Sequence, residues 1–347
     1  MKPKLAIACQ GGGSHTAFTA GVLKRILEST ILDAYDLVAL SGTSGGGICA
    51  TAAWYGLLKQ AHGSIDLPYK WLMEFWADNS AYLWWEQSLN DWALQILRCQ
   101  EAGLFPQFET SPYTSEWLFQ VWKTLVPTQE YFDLQALLEK HIQFQEIPAL
   151  LQKNSPRLLL GAVDILSGQF RTFDSAQETI RVEMLLASAA IPTLFKAVEL
   201  NGKAYWNGIF SRNPPIAPFL TEAVEHRPDE IWIVQINPEC RVSIPKTAAT
   251  ILDRRNELAG NLALNQELQL IQLVNQWLGE DSTTSLFKEM ERQRFKPITV
   301  QPPITISSGL SALLDYASKL DRSPTFIRNL IADGEQQAEL FLQRLPL

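Results

Sequence analysis

The first sixty residues alternate twice between a short apolar run and an amphipathic segment. Residues 5–9 are continuously apolar and lead into three glycines, after which residues 15–29 carry apolar side chains at helical spacing. A second apolar run at 37–40 leads through a turn at 41–47 into a helix of small residues at 48–58. Two strand–turn–helix units in succession predict an α/β fold with a mostly parallel sheet and helices on its faces.

The middle of the chain continues the same domain. Residues 66–153 are largely helical between prolines and rich in tryptophan, which indicates a helical insertion. Further elements are predicted at 158–165, 169–173 and 231–236 as strands, at 182–190 as a helix, and at 198–206 as a hairpin. The hairpin is centred on Asn201-Gly202, a pair that favours a type I′ turn.

The last hundred residues are predicted to be mainly helical. A long amphipathic helix is predicted at 252–277, and a final helix begins after Ser323-Pro324, with serine as N-cap and proline as first helical residue. The positions expected on the core face of the long helix are Leu258, Leu262, Leu268, Ile271 and Trp277. We therefore expect one domain over 1–347, with the helices of 250–347 packed on the core.

Composition narrows the class of partner. The chain has 347 residues, of which 46% are hydrophobic and 19% charged, and its formal net charge is −8. An acidic chain without a basic block is unsuited to nucleic acid and to a purely electrostatic hold on anionic lipid. No apolar run reaches the ~20 residues that span a bilayer, so we expect a cytoplasmic protein, soluble or peripherally bound to membranes. The four cysteines lack zinc-ligand spacing and are expected to be free thiols.

The strongest chemical signal is Gly42-Thr43-Ser44-Gly45-Gly46, which fits the G-x-S-x-G pattern of a nucleophile elbow. An apolar strand runs into it and a helix of small residues leaves it, so the hydroxyl of Ser44 is expected to project beyond the sheet. Amides at the start of that helix can stabilise negative charge. The competing interpretation is a glycine-rich turn whose serine only caps the helix.

A second glycine run, Gly11-Gly12-Gly13, ends the first strand and exposes amides that can hold an oxyanion or a phosphate. A dinucleotide fingerprint would need glycine where Thr16 stands, and no Gly-Lys-Ser/Thr follows as in a P-loop. Because Ser44 follows in the next strand–turn–helix unit, an oxyanion hole fits better than a phosphate site. A plain tight turn is the alternative.

A nucleophilic serine needs a general base, and histidine is the usual one. After Ser44 the chain offers only His62, His141 and His226. The first two lie in or beside predicted helices, and the third lies at a polar helix end. A solvated surface histidine is the simpler interpretation of each.

Four motifs follow one another along the chain. They are the glycine run at 11–13, the elbow at 42–46, Ala187-Ser188-Ala189-Ala190-Ile191-Pro192-Thr193-Leu194-Phe195, and Tyr205-Trp206-Asn207-Gly208 with Asn213-Pro214-Pro215 after it. In this order they resemble the patatin-like phospholipase family. Their order and spacing extend over residues 10–220, and the set is far more specific than any single motif.

The resemblance implies a three-layer α/β/α fold and hydrolysis of fatty acyl esters of lipids, with no metal or other cofactor. That family uses a serine–aspartate dyad without histidine, so Ser44 is the expected nucleophile and position 207 the expected base. The oxyanion hole is expected from the amides of Gly11, Gly12, Gly13 and Gly45. The implied partner is a lipid or acyl ester substrate, with possible peripheral contact to a membrane.

The chain departs from the family pattern at two positions. His15 follows the glycine run where the family usually continues with arginine and glycine, and is expected either to donate a hydrogen bond to substrate or to cap the helix. Asn207, before Gly208, stands where the family has aspartate. Asparagine has nearly the shape of aspartate but is neutral, so it can orient a hydroxyl but is far too weak a base.

Three explanations of Asn207 stay open. They are a substitution made to trap substrate, a natural pseudoenzyme that binds lipid, and either another residue acting as base or a family motif that does not align at position 207. An acyltransferase using the same serine is a related alternative. A histidine-dependent α/β-hydrolase is a rival, although that fold places its nucleophile after several strands and Ser44 follows only two.

An aromatic cluster between residues 71 and 92 is a further candidate, with Trp84 and Trp85 as possible substrate-binding residues. Tryptophan is favoured in apolar tunnels and at membrane interfaces. The alternative is the packing of helices onto the sheet. Liposome co-sedimentation that is unchanged by Trp84→Ala and Trp85→Ala would remove the membrane role.

Overall fold

The computed structural model describes residues 2–102, 104, 113, 133–192, 194–221, 227–241, 243–279 and 297–345. The strands within these residues are β1 Lys4–Cys9, β2 Asp36–Gly42, β3 Arg157–Asp164, β4 Phe170–Asp174, β5 Val198–Leu200, β6 Lys203–Asn207, β7 Glu230–Gln235, β8 Thr299–Val300 and β9 Ile304–Thr305.

The longer helices are α1 Ala17–Glu28, α2 Gly45–Ala61, α3 Lys70–Asn79, α4 Trp84–Glu101, α5 Leu134–His141, α6 Val182–Ala189, α7 Ala248–Gly279 and α8 Pro324–Leu342. Single-turn helices are found at Ile31–Ala34, Ile147–Leu150, Pro218–Thr221 and Ser308–Ser311, and 3-10 turns at Gly13–Thr16, Gly208–Phe210 and Ala317–Leu320.

The described strands form one mixed, mostly parallel sheet. Hydrogen-bonded pairs link the strands in the path β5-β6-β3-β2-β1-β7-β8, with β4 also paired to β3 and β9 also paired to β7. The strands β1, β2, β3, β7, β8 and β9 pair in parallel, whereas β4, β5 and β6 join antiparallel. The predicted hairpin turn is confirmed, because Asn201 and Gly202 have the positive φ values, 53° and 75°, of a type I′ turn.

Side chains alternate along the central strands and fill two cores. Leu5 and Ile7 of β1 lie in one core with Phe18 of α1. Ala6, on the opposite face of the same strand, lies in the other core with Leu264 of α7. The period of two in a strand therefore produces three layers, and the predicted α/β/α arrangement is confirmed.

The C-terminal helix α8 packs closely against α1. Cβ atoms built on Gly21 and Gly334 would lie 2.0 Å from the carbonyl oxygen of Ile331 and 2.1 Å from that of Phe18. Only glycine permits so short a distance between the two backbones. The helix begins at Pro324 with Ser323 as its N-cap residue, as the sequence predicts.

The predicted core face of the long helix α7 is wrong over its first half. Leu258 and Leu262 are 55% and 58% exposed, whereas Ile271 is buried as expected. Buried positions in that half include Glu257 and Asn261, which hydrogen-bond with Arg241 and with the backbone and side chains of neighbouring loops. These polar bonds, which the apolar pattern does not reveal, determine the orientation of the helix. The side chain of Trp277 lies outside the described residues.

The aromatic cluster divides between core and surface. Trp76 is buried and Trp71 packs edge-on against Tyr55, so the packing interpretation is confirmed for α3. At the start of α4, by contrast, Trp84 is 79% exposed. Of the helices described, none combines the length and the apolar character that a bilayer span requires.

Candidate active site

Two strands end beside each other on one edge of β3. Strand β2 runs parallel to β3 and ends with Gly42 opposite Leu160, while β6 runs antiparallel and ends with Asn207 opposite Ala162. Strand β4 pairs with the same stretch of β3, so it must occupy the other edge. The ends of β2 and β6 are therefore brought together across the single residue Gly161.

Gly161 has no room for a side chain. A Cβ atom there would lie 2.6 Å from Oγ1 of Thr43 and 2.7 Å from the carbonyl oxygen of Arg212. A Cβ atom on Gly208, the residue after β6, would lie 2.2 Å from the carbonyl oxygen of Gly161. The absence of side chains at these glycines lets the turn after β2 approach the end of β6.

Ser44 occupies the sharp turn between β2 and α2. Its φ of 56° lies in the left-handed region, which is uncommon for serine and strained. Its amide donates to Oγ of Ser188 at 3.0 Å, which holds the turn from the side of α6. Although Ser44 is the N-cap residue of α2, its side chain makes no capping hydrogen bond. The interpretation of Ser44 as a simple helix cap is therefore wrong.

Asn207 faces Ser44 with its amide nitrogen. Nδ2 of Asn207 donates to Oγ of Ser44 at 3.1 Å, and Oδ1 accepts from the amide of Ile209 at 2.9 Å. A flipped amide would set Nδ2 against the Ile209 N–H, donor to donor, so the bond to Ile209 fixes the orientation. Ser44 thus receives a hydrogen bond where a catalytic base would accept one. Both residues are buried, with 7% and 1% exposure.

The glycine run Gly11-Gly12-Gly13, here called the glycine loop, lies against the Ser44 turn. A Cβ atom on Gly11 would lie 3.0 Å from Cβ of Ser44. The amide of Gly11 donates to Oδ1 of Asn213 at 2.7 Å, so this amide positions the loop instead of facing a substrate. The amides of Gly12 and Gly13 are the remaining candidates within the loop for the oxyanion hole, a role that stays a prediction.

Gly45, the residue after Ser44, packs against the end of the glycine loop. A Cβ atom on it would lie 2.1 Å from Oγ1 of Thr16 and 2.9 Å from the carbonyl oxygen of Gly13. The amide of Gly45 is at the first helical position of α2, where it has no partner within the helix. Its predicted share in the oxyanion hole also stays a prediction.

A buried amide network ties the loop to α7, and sequence reasoning missed it. Asn213 also donates from Nδ2 to the carbonyl oxygen of Gly260. Gln10 donates to Asn261 and accepts from the amides of Ile236 and Asn237. The motifs containing Ser188 and Asn213 were recognised, but the pattern alone does not show that these two side chains hold the turn and the loop.

Each histidine in the described residues forms a hydrogen bond with a residue other than Ser44. His15 hydrogen-bonds through Nε2 to Oγ of Ser318 at 2.8 Å. Burial, and the nearby charge of Lys319, lower the pKa of its imidazole well below the usual value. It caps neither the 3-10 turn nor α1, so the capping interpretation is wrong, and a role in substrate binding stays a prediction.

Two further histidines were candidates for a base. His62 bonds the carbonyl oxygen of Leu150 at 3.0 Å, and His141 bonds Asp78 at 2.9 Å. Neither of these hydrogen bonds involves Ser44. His226 lies outside the described residues.

A small cavity lies behind the glycine loop. Its volume is about 20 Å³ and its lining includes His15, Lys319 and Glu257. It suits one water molecule and is far too small for an acyl chain. The described residues contain no group of three or more His, Cys, Asp or Glu side chains arranged to hold a metal ion.

Exposed apolar side chains follow Asn207 and the segment that accepts its amide. Phe210, three residues after Asn207, is 59% exposed. Leu194 and Phe195 follow α6, whose end accepts the amide of Asn207 through Ala190, and are 46% and 42% exposed. Trp84, at the start of α4, is more exposed than any of these, and Trp85 next to it is half-buried. Substrate-binding roles for these two tryptophans stay predictions.

A three-layer α/β/α fold with a strained serine between a strand and a helix defines an α/β protein built around a candidate serine nucleophile. The family model described as Patatin-like phospholipase matches residues 7–220, more than half of the chain. The chain therefore belongs to the patatin-like phospholipase family, as the four motifs predict. The description of that family is of phospholipases, which hydrolyse lipid esters.

Structures similar to this chain share little sequence with it. They include VipD from Legionella pneumophila (TM-score 0.45, 11% identity, 99% of this chain and 67% of that chain covered). Human GIVD cytosolic phospholipase A2 in complex with methyl gamma-linolenyl fluorophosphonate has a TM-score of 0.44 at 13% identity, covering 98% and 58%. The type III effector protein ExoU has a TM-score of 0.35 at 15% identity, covering 99% and 53%. A sequence search among curated proteins found no match.

Proposed function

We propose that the site is that of a serine acyl hydrolase for fatty acyl esters of lipids, with Ser44 as nucleophile and position 207 as the place of the base. The observation that carries the proposal is the 3.1 Å contact between Asn207 and the hydroxyl of Ser44, at the meeting of two strand ends. A base must lie within hydrogen-bond reach of the proton it removes, and residue 207 has that reach.

In the aspartate form of this site, Oγ of Ser44 attacks the acyl carbonyl while its proton passes to the carboxylate at position 207. Amides of Gly12, Gly13 and Gly45 stabilise the oxyanion. The proton returns to the leaving alcohol, and water then releases the acyl group with position 207 again taking a proton. In this chain Asn207 offers Nδ2–H instead of a lone pair, so the first proton has no acceptor and hydrolysis is impaired.

The apolar surface next to the site supports a lipid substrate. The exposed side chains of Leu194, Phe195 and Phe210 offer contact to an acyl chain whose ester carbonyl reaches Ser44. A protein that contacts membranes only peripherally would take such a substrate from a lipid surface. Water and an acceptor alcohol are alternative second substrates, so an acyltransferase that uses the same serine is the second candidate.

The decisive variant is Asn207→Asp, which restores a base without changing the size of the side chain. Because a general base contributes about 10²–10⁴ in rate, hydrolysis of a short acyl ester should rise by that factor. The measurement is kcat/KM with a chromogenic ester. Equal activity of the parent and the variant would remove residue 207 from the position of the base.

Two controls accompany the comparison. Ser44→Ala combined with Asn207→Asp should abolish the gain, because the nucleophile is then missing. Fresh protein should be checked by mass spectrometry, because Asn207-Gly208 is a sequence prone to slow deamidation, which would create the active form in an aged sample.

A further inference from the structure

The hydroxyl proton of Ser44 is free to serve a ligand in this chain. Oγ of Ser44 already accepts from Nδ2 of Asn207, so its own proton points to a third group. The amide group of Asn207, whose orientation the bond to Ile209 fixes, carries a second hydrogen on Nδ2 besides the one donated to Ser44. Two neutral donors therefore meet at the position where an active hydrolase would hold a donor and a carboxylate.

The hydrogen-bond partners described around Ser44 are neutral. The hydrogen bonds described for Ser44, Asn207 and the glycine loop go to hydroxyl, amide or backbone groups, and none of those described goes to a carboxylate. The 17-residue helix α2 begins at Gly45, directly after Ser44, with the positive end of its dipole at the site. The site therefore combines hydrogen-bond donors with a helix N-terminus, and none of its described partners is a carboxylate. This combination suits an oxygen anion better than a neutral ester.

The exposed apolar side chains of Leu194, Phe195 and Phe210 favour a ligand whose remaining part is an apolar chain. We propose that, with asparagine at position 207, the site is a receptor for a free long-chain carboxylate, that is, a fatty acid. The two carboxylate oxygens accept from Ser44 and Asn207, and the chain lies on the exposed apolar surface. The inference rests on the proposed function, because it assigns a ligand to the same site.

An aspartate at position 207 would reverse this preference. It would set a second negative charge within hydrogen-bond reach of the bound carboxylate, and two like charges at such a distance repel strongly even near a protein surface. One substitution should therefore exchange the two properties, with the parent chain retaining the fatty acid and the Asn207→Asp variant hydrolysing the ester.

Equilibrium dialysis of the full chain with laurate, methyl laurate and acetate at pH 8 tests the proposal. The parent should bind laurate more tightly than methyl laurate, which lacks the charge, and more tightly than acetate, which lacks the chain. Asn207→Asp should weaken laurate binding roughly tenfold or more. Ser44→Ala, which removes one donor, should weaken laurate binding roughly fivefold. This second variant tests the proposal even if Asn207→Asp does not fold.

Laurate affinity that is unchanged in both variants would overturn the proposal, as would equal affinity of the parent for laurate and methyl laurate. Failure of the hydrolase proposal is distinguishable. If Asn207→Asp shows no ester turnover but only the parent retains laurate, the hydrolase proposal is rejected and the carboxylate receptor is supported.

Discussion

Two neighbouring regions hold their buried polar groups in opposite ways. At the sheet edge, Ser44, Ser188 and Asn207 are neutral and bond one another through hydroxyl and amide groups. The helical cover is formed by α4, α7 and the 3-10 turn Ala317–Leu320, which contacts the last residue of the glycine loop, Gly13. In this cover, carboxylates lie close together instead. Glu101 lies there with Oε1 buried and unpaired among the described residues, and burial, together with the charges of two other carboxylates, raises its pKa.

Because of this difference, the two regions should respond differently to a change of pH. Neutral groups fixed by glycines and backbone bonds keep their geometry across the pH range, so the candidate site should be rigid. The cover contains a carboxyl that is protonated at low pH and costs stability when it ionises. Substitutions can test this comparison at the edge, where packing and pairing dominate, and in the cover, where charge dominates.

The largest effect is expected from Gly161→Ala at the edge. The new Cβ would meet Thr43 and Arg212 at 2.6 and 2.7 Å, so the two strand ends must separate. We expect a loss of about 1–3 kcal/mol or more in the free energy of unfolding, measured by urea denaturation.

The matched control is Gly309→Ala, where no heavy atom lies within 4 Å of the added Cβ. It lies in a helical turn, so stability should be unchanged or slightly increased. Equal losses in the two variants would show that Gly161 is not a point of close contact.

A smaller effect is expected from Ser188→Ala, which leaves the buried amide of Ser44 without its acceptor. We expect a loss of about 1 kcal/mol, the lower end of the cost of an unpaired buried donor, and in the Asn207→Asp background kcat should fall as the turn loosens. The thermal midpoint and ester turnover are the measurements.

Ser41→Ala is the control for pairing, because the Ser41 hydroxyl is equally buried but has no hydrogen-bond partner among the described residues. Its removal should not lower stability. If Ser41→Ala were as destabilising as Ser188→Ala, loss of volume and not loss of the bond would be the cause.

The smallest effect is expected in the cover. Burial, with the charges of Asp253 and Asp315, raises the pKa of Glu101 to about 7 from 4.5, against a lowering by Arg98. The folded state then holds the proton more tightly than the unfolded chain, so the free energy of unfolding should fall as pH rises from 4.5 to 7 and level off above. Glu101→Gln should remove this fall, with a gain on the order of 1 kcal/mol at pH 8 and little change near pH 4.5.

Thermal unfolding of both forms from pH 4.5 to pH 8 measures that difference. A gain for Glu101→Gln that is the same at both ends of the range would contradict the assignment of the proton to Glu101.

The sequence predicts the elements of the edge well because local patterns determine them. Short apolar runs before Gly11 and Gly42 predict the two buried strands. The pair Asn201-Gly202 predicts the hairpin turn, because both residues tolerate the positive φ that the turn requires. The meeting of β2 and β6 across Gly161 depends on strand pairing between distant segments, and no local pattern contains that information.

The cover is harder to predict for the same reason. Leu258 and Leu262 follow a helical apolar pattern, yet the structure exposes them and buries Glu257 and Asn261. Tertiary hydrogen bonds decided the orientation of α7, and these bonds join residues far apart in the chain. The identity of residue 207 was readable directly, but which of its amide atoms faces Ser44 required the position of the Ile209 amide.

The central claim is that Ser44 and residue 207 act as one unit, whose reactivity is limited here by the hydrogen bond that Asn207 donates. The most direct measurement is the second-order rate constant for labelling Ser44 with an alkyl fluorophosphonate, with the labelled residue identified by mass spectrometry. Asn207→Asp should raise this constant by about 10²–10⁴, because the serine then has a base. Equal labelling rates in the parent and the variant would contradict the account.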